Sequence, residues 1–199
     1  MQELAAVRRT ERTIAVRELV RQEAARAGEA PVVPFRIFHE VECFVCFFNP
    51  TVFAHRRHIL VIIGATNLGK SMLAADVLRR VAELLGLSGF KEVTVEADAA
   101  LDLSEVNVEQ DGGVLLDGVG DAMLLHHHRE ALQGRAKENR GGRSATMMYA
   151  YPFTLCRRAV VVTMDLSAAN LSVFDDHHWL SDKRNVIVLK LTDAAYVKP

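Results

Sequence analysis

Eight consecutive residues, Gly64-Ala65-Thr66-Asn67-Leu68-Gly69-Lys70-Ser71, carry the chemistry that the rest of the chain has to position. Glycines at both ends of the turn let backbone N–H groups point inward at anionic oxygens. A helix beginning just after them adds its positive end. Lys70 is then placed to reach the β- and γ-phosphates of a nucleoside triphosphate such as ATP, and the Ser71 hydroxyl to ligate Mg²⁺. Asp117 lies 46 positions after Ser71 and ends the apolar run Gly113-Val114-Leu115-Leu116. A carboxylate at such a tip can hold the Mg²⁺ shell beside the serine. Thr163 and Asp165 end a further apolar run and are polar groups able to sense the terminal phosphate or orient an attacking water.

These groups need a rigid frame. Ile59-Leu60-Val61-Ile62-Ile63 is a run of β-prone apolar residues emptying into the glycine turn. After it, Leu73, Val77, Leu78, Val81 and Leu85 recur at helical spacing up to Gly86. Strand, phosphate loop and helix in that order form a P-loop (Walker A), and the run ending in Asp117 has the character of a Walker B strand. Phe90 to Glu96 alternates like a strand, and Ala159 to Thr163 and Asn185 to Leu191 read as buried ones. Strands separated by helices imply an α/β fold, a three-layer P-loop NTPase with a mostly parallel central sheet.

Elsewhere the pattern predicts a helix over 36–48, a short helix or turn over 101–108, and a helix over 119–133. An N-terminal helix over 2–27, with a loose apolar stripe and interleaved arginines and glutamates, precedes a linker rich in glycine and proline. The expected organisation is therefore 1–34 as helix and linker and 35–199 as the ATPase domain. Cys43 and Cys46 have metal-pair spacing, but their apolar surroundings favour buried cysteines over zinc ligands. His126, His127 and His128 point about 100° apart on a helix and read as surface histidines. The segment from Gly134 to Arg143 has no apolar anchor and reads as an exposed basic loop. Its Arg135, Lys137, Arg140 and Arg143 are candidates for a phosphate backbone, as in single-stranded nucleic acid.

With 199 residues the chain can bury a sizeable core, and a net charge of −1 gives no overall attraction to nucleic acid, so any such contact must be local. Three cysteines without a signal-like amino terminus point to a reducing, intracellular setting of unspecified compartment. No apolar run approaches the roughly 20 residues needed to cross a bilayer, so no membrane partner is expected.

The order of P-loop, alternating strand, Walker-B-like strand, basic glycine-rich segment, Thr-tipped strand and arginine before a last strand resembles the superfamily 3 helicase domain. That family comprises the AAA+-type ATPases of small-virus replication proteins. The resemblance covers roughly residues 36 to 192 and is sharpest over the phosphate loop. It implies a homo-oligomeric ring that couples ATP hydrolysis to movement on nucleic acid, with the pore-lining role falling on the segment from Arg135 to Arg143. Thr163-Met164-Asp165 stands where the family's sensor strand ends in a Thr-x-Asn-like sequence. Arg184 or the Arg157-Arg158 pair would act across a subunit boundary.

Two features depart from that family. Gly118 follows Asp117 where a second, water-activating acid is usual, leaving Glu96 or Asp121 to take the role. No His-hydrophobic-His pair with a downstream nucleophilic tyrosine is present, and Tyr149 and Tyr151 lack that setting, so the fused nicking nuclease is not expected. Beside the helicase-like ATPase stand two alternatives: an ATP-dependent binding switch with weak hydrolysis, and a small-molecule or nucleotide kinase whose arginine-rich lid would be the 135–143 segment.

Overall fold

A computed structural model of the chain describes residues 34–49, 58–95, 101, 103, 105–134, 137–140, 150–153, 155 and 157–197. The helix expected over 2–27 lies outside them. Residues Phe35–Tyr196 form one compact unit. In chain order its elements are α1 (His39–Cys46), β1 (Ile59–Gly64), α2 (Lys70–Leu85), β2 (Gly89–Thr94), β3 (Asp111–Val119), α3 (Met123–His127), α4 (Arg129–Leu132), β4 (Lys137–Arg140), β5 (Ala150–Phe153), β6 (Ala159–Asp165), α5 (Ala168–Asp176) and β7 (Val186–Leu191).

Five of the strands make one sheet in the order β2-β3-β6-β1-β7, with every neighbouring pair parallel. Successive side chains of a strand point to opposite faces, so a strand covered on both sides must be apolar at every position. β1 shows this directly. Ile59, Val61 and Ile63 enter one core with Val160, Val162 and Met164, while Leu60 and Ile62 enter the other with Val161 and Leu115. The first core is closed by Leu125 of α3, Leu132 of α4 and Phe174 of α5. The second is closed by Val41, Phe44 and Val45 of α1 and by Leu73, Val77, Leu78 and Val81 of α2. The result is the expected α/β architecture of three layers, helices over each face of a parallel sheet.

The approach of α2 to the sheet depends on two adjacent glycines in β3. A Cβ at Gly112 would stand 2.6 Å from the Ala82 Cα, and one at Gly113 would meet Leu78 Cδ2 at 2.6 Å. The helix stops at Gly86, whose φ of 67 lets its N–H return to the Glu83 carbonyl. Across the helix pair, Arg80 Nη2 donates to both oxygens of Glu42 at 2.8 Å, a half-exposed pairing worth under about 1 kcal/mol.

Several expectations need correction. The helix over 36–48 is shorter, because Phe38 is extended and Phe35 forms a β-bridge with Tyr196. Its cysteines are not buried: α1 turns Val41, Phe44 and Val45 inward, which leaves Cys43 half-buried and Cys46 exposed. Cys43 Sγ lies 3.4 Å from His39 Nε2, and no group of three metal-ligating side chains occurs among the described residues. The basic segment is not simply a loop, since β4 pairs antiparallel with β5, Lys137 opposite Phe153 and Arg140 opposite Ala150. No helix among the described residues is long and apolar enough to cross a membrane.

The helix expected over 119–133 is also different. β3 continues to Val119, and two short helices follow, separated at His128, whose φ of −100 and ψ of 12 leave the helical region. His126 is not a surface residue. Its ring is half-buried, 4.5 Å edge-on to His177 and 5.9 Å from Trp179, and its Nδ1 is buried with no hydrogen-bond partner. Burial, then Arg129 and the imidazoles of His177, His178 and His127, lower its pKa below the ordinary 6.5.

Two outcomes follow from this packing. Gly112→Ala should destabilise the fold by about 1–3 kcal/mol, since helix backbone has to shift, whereas Gly89→Ala should change it by no more than about 0.5 kcal/mol. A Cβ at Gly89 meets nothing within 4 Å, and urea midpoints compare the two. A lowered histidine pKa leaves stability intact above the unfolded value and costs it as pH falls from there through the lower folded value. The urea midpoint should therefore drop as pH falls below about 6.5, and His126→Phe should lessen the drop.

Candidate functional site

In a parallel sheet all strands end at the same edge, and that edge gathers the polar groups here. Gly64 closes β1, Asp165 closes β6, and the two stand opposite each other in the pairing register. The loop after Gly64 is tightly held. A Cβ at Gly64 would come within 3.0 Å of Leu191, and the Leu68 carbonyl accepts the Ala195 N–H at 2.8 Å. Asn67 and Gly69 adopt φ of 66 and 82. Left-handed residues flanked by ordinary ones turn successive N–H groups to one side, which makes an anion-binding concavity. Lys70 then opens α2, whose first turn contains no acidic residue. The positive end of the helix is thus not neutralised by a side chain of its own first turn.

Three hydroxyl or carboxylate groups meet beside this loop. Ser71 Oγ donates to Asp117 Oδ1 at 2.7 Å, and Thr163 Oγ1 donates to the same oxygen at 2.5 Å. Thr163 in turn accepts the Gly118 N–H at 2.9 Å. The buried Thr163 has its one hydroxyl proton directed at Asp117. In this arrangement it fixes the carboxylate that faces Ser71. Asp117 is not at the strand's end as expected but within it, at a register break between Leu116 and Val119. Bulges re-aim side chains in this way. Gly118, with φ of 68, is the residue that permits it.

Lys70 Nζ is fully engaged. It donates to the Gly64 carbonyl at 3.0 Å, the Ala65 carbonyl at 2.8 Å and Asp165 Oδ1 at 2.9 Å. An ammonium has three protons, so each has an acceptor. The pairing with Asp165 was not legible from spacing, because it depends on β6 lying next to β1 in the sheet.

Among the described residues, no hydrogen bond joins the other expected site residues to these. Glu96 lies outside the described residues, as do Arg135 and Arg143, and of Lys137 and Arg140 only the strand backbone is described. Asp121 is exposed and its Oδ1 accepts the Met123 N–H at 2.8 Å, an Asx turn just before α3. Arg184 is exposed and chelated by Asp182, with Nε to Oδ1 at 3.0 Å and Nη2 to Oδ2 at 2.8 Å, and that partner raises its pKa. Arg184 also precedes β7, whose first residue Val186 pairs with Ile59 while Gly64 pairs with Leu191. A strand's length, roughly 20 Å, therefore separates it from the loop. Arg157 and Arg158 precede β6 at that same far edge, and Arg158 Nε donates to the Val108 carbonyl at 2.8 Å.

A hydroxyl and a carboxylate converging beside an inward-facing loop fit a hard divalent ion such as Mg²⁺, which takes oxygen ligands of this kind. The loop itself fits a phosphate group: a side chain at Gly64 would crowd Leu191 and Leu68, and Gly69 holds a conformation that L side chains rarely adopt.

No protein-family model matches the chain, and no curated protein does. Among solved structures it is similar to NtrX from Brucella abortus in complex with ATP, at 13% identity and a TM-score of 0.42 over 94% of this chain and 45% of that one. It is also similar to the same protein in complex with ADP, at 13% identity and a TM-score of 0.38 over 94% of this chain and 44% of that one. The chain thus spans under half the length of these structures.

Thr163→Val keeps the shape of the side chain but leaves Asp117 and the Gly118 N–H each one partner short. It should lower stability by about 1–2 kcal/mol. Thr163→Ser should restore most of that, and denaturant midpoints of the three proteins check it.

Proposed function

We propose that this chain binds and hydrolyses ATP with Mg²⁺ and couples the cycle to single-stranded nucleic acid as a helicase-like ATPase. The observation that carries the nucleotide part is the 2.7 Å contact of Ser71 with Asp117 at the mouth of the 64–71 loop. Residues 46 apart in sequence meet beside the loop, which supports a shared role in holding a phosphate-bound ion. The loop N–H groups of residues 65–69 take the phosphate oxygens. Lys70 turns from its three internal acceptors to the β- and γ-phosphates, and Ser71 and Asp117 hold the ion while Thr163 keeps the carboxylate in place. When bound, Mg²⁺ supplies positive charge that offsets the charge developing on the phosphate oxygens.

Coupling to nucleic acid is supported by the order of the motifs and by the basic character of the segment holding Arg135, Lys137, Arg140 and Arg143. In a homo-oligomeric ring, the arginines preceding β6 and β7 would act on the site of a neighbouring copy. They stand on the sheet edge opposite their own loop.

One observation favours a second reading, a nucleotide-dependent switch with little turnover. The residue after Asp117 is Gly118 in a left-handed conformation, and Asp121 Oδ1 is engaged by the Met123 N–H in the turn before α3. Gly118 supplies no acid, and Asp121 is in part committed to its own turn.

Calorimetry with Mg-ATP should show binding that Lys70→Ala weakens by a factor of about 100 or more, as expected for loss of a charge-assisted phosphate contact in an enclosed loop. The steady-state ATPase rate should rise on adding single-stranded DNA or RNA, and the rise should shrink as salt is raised. Tight ATP binding with a rate unmoved by nucleic acid establishes the switch instead. An ATPase rate that survives Lys70→Ala refutes both.

A further inference from the structure

Lys70 is the cation that the proposed nucleotide would need first, and it is held by an acidic group of the chain itself. Its ammonium is nearly buried, with 10% of its side chain exposed, whereas the partnering Asp165 is 76% exposed. The carboxylate therefore reaches in from solvent to a cation at the floor of the loop. Its position is not a matter of side-chain chance. Asp165 is the last residue of β6, in register with Gly64, and the next residue, Leu166, donates its N–H to the Gly64 carbonyl at 3.2 Å. The end of β6 is thus stitched to the first residue of the phosphate loop.

Resting on the nucleotide reading of this loop, we propose that Asp165 is a latch: an internal anion that occupies Lys70 in the nucleotide-free protein and has to be displaced before a phosphate can take its place. Carboxylate and phosphate are both anions presenting oxygens to a single ammonium, so they compete for it. The carboxylate also stands next to where the phosphate charge arrives, and like charges at that distance repel. Both effects act in one direction, against the nucleotide. Thr163, two residues earlier, has its hydroxyl committed to Asp117. At the end of β6 it is therefore Asp165 that answers to occupancy of the loop, by releasing Lys70.

Asp165 Oδ1 sits 2.9 Å from Nζ, and a latch and a water-activating base differ in what their removal changes. An acid whose role is to hold Lys70 should change ground-state affinity when removed. An acid that works on the reacting water should change turnover and leave affinity alone.

The test is Asp165→Asn, with Asp165→Ala as a second variant and a thermal melt to establish that each folds. Because the side chain is mostly solvent-exposed, the gain is moderate: Mg-ATP should bind about three- to tenfold tighter to both variants than to the unaltered chain. In the nucleotide-free protein, acylation of Lys70 by an amine-reactive ester, followed by mass spectrometry, should be faster in both variants. Unchanged or weaker ATP affinity overturns the latch. Loss of turnover at unchanged affinity overturns it as well and places Asp165 on the reacting phosphate. If neither the unaltered chain nor the variants bind ATP, the nucleotide reading fails, and the acylation rates alone then decide whether Asp165 shields Lys70.

Discussion

A single carboxylate oxygen, Asp117 Oδ1, receives hydrogen bonds from Ser71 and Thr163, and most of the architecture can be traced to the need to bring those three residues together. They come from α2, β3 and β6, which are far apart in sequence. A parallel sheet brings them together because all its strands end at one edge, and the order β3-β6-β1 places the tip of β6 between the phosphate loop and the carboxylate. The glycine pair Gly112 and Gly113 serves the same end, since α2 cannot carry Ser71 to Asp117 unless its body lies close on β3. Packing at the Gly113 end of that strand and hydrogen bonding at the Asp117 end are thus two parts of one constraint.

The framework was readable because it follows from local rules. Ile59 to Ile63 is apolar at every position since β1 is buried on both faces, and α2 carries its stripe at helical spacing and ends in a left-handed glycine. Residues 64–71 announce their conformation through glycines that have no substitute there. What could not be read depends on neighbours that sequence order does not give. Lys70 meets Asp165 because β6 lies beside β1. Cys46 is exposed because Val41, Phe44 and Val45 set which side of α1 faces the core. The histidine run was misjudged for a related reason: the rings of His177 and Trp179, fifty-odd residues on, decide that His126 turns inward.

Gly118 shows how a departure from a familiar pattern acquires a structural cause. Counted along the chain, it is a missing acid. In the fold it is the left-handed residue of a register break, and its N–H is the donor that orients Thr163. A glutamate there would have to adopt a φ that L side chains rarely take, and the cost would fall on the same hydrogen bonds that hold Asp117. The geometry that secures the Asp117 carboxylate therefore works against an acid immediately after it. An acid that activated water would have to come from a different position in the chain.

Two of the groups that would meet a nucleotide are already paired within the protein. Lys70 has three acceptors, and Asp117 has two donors. Binding is then an exchange in which internal hydrogen bonds are given up for external ones, and only the difference appears as affinity. A ligand that offers anionic oxygens alone can recruit Lys70 but leaves Ser71 bonded to Asp117. An ion alone can separate that pair but does nothing for Lys70. Only a polyphosphate carrying its own divalent ion would replace both sets at once, and phosphate or metal taken singly would then be bound weakly.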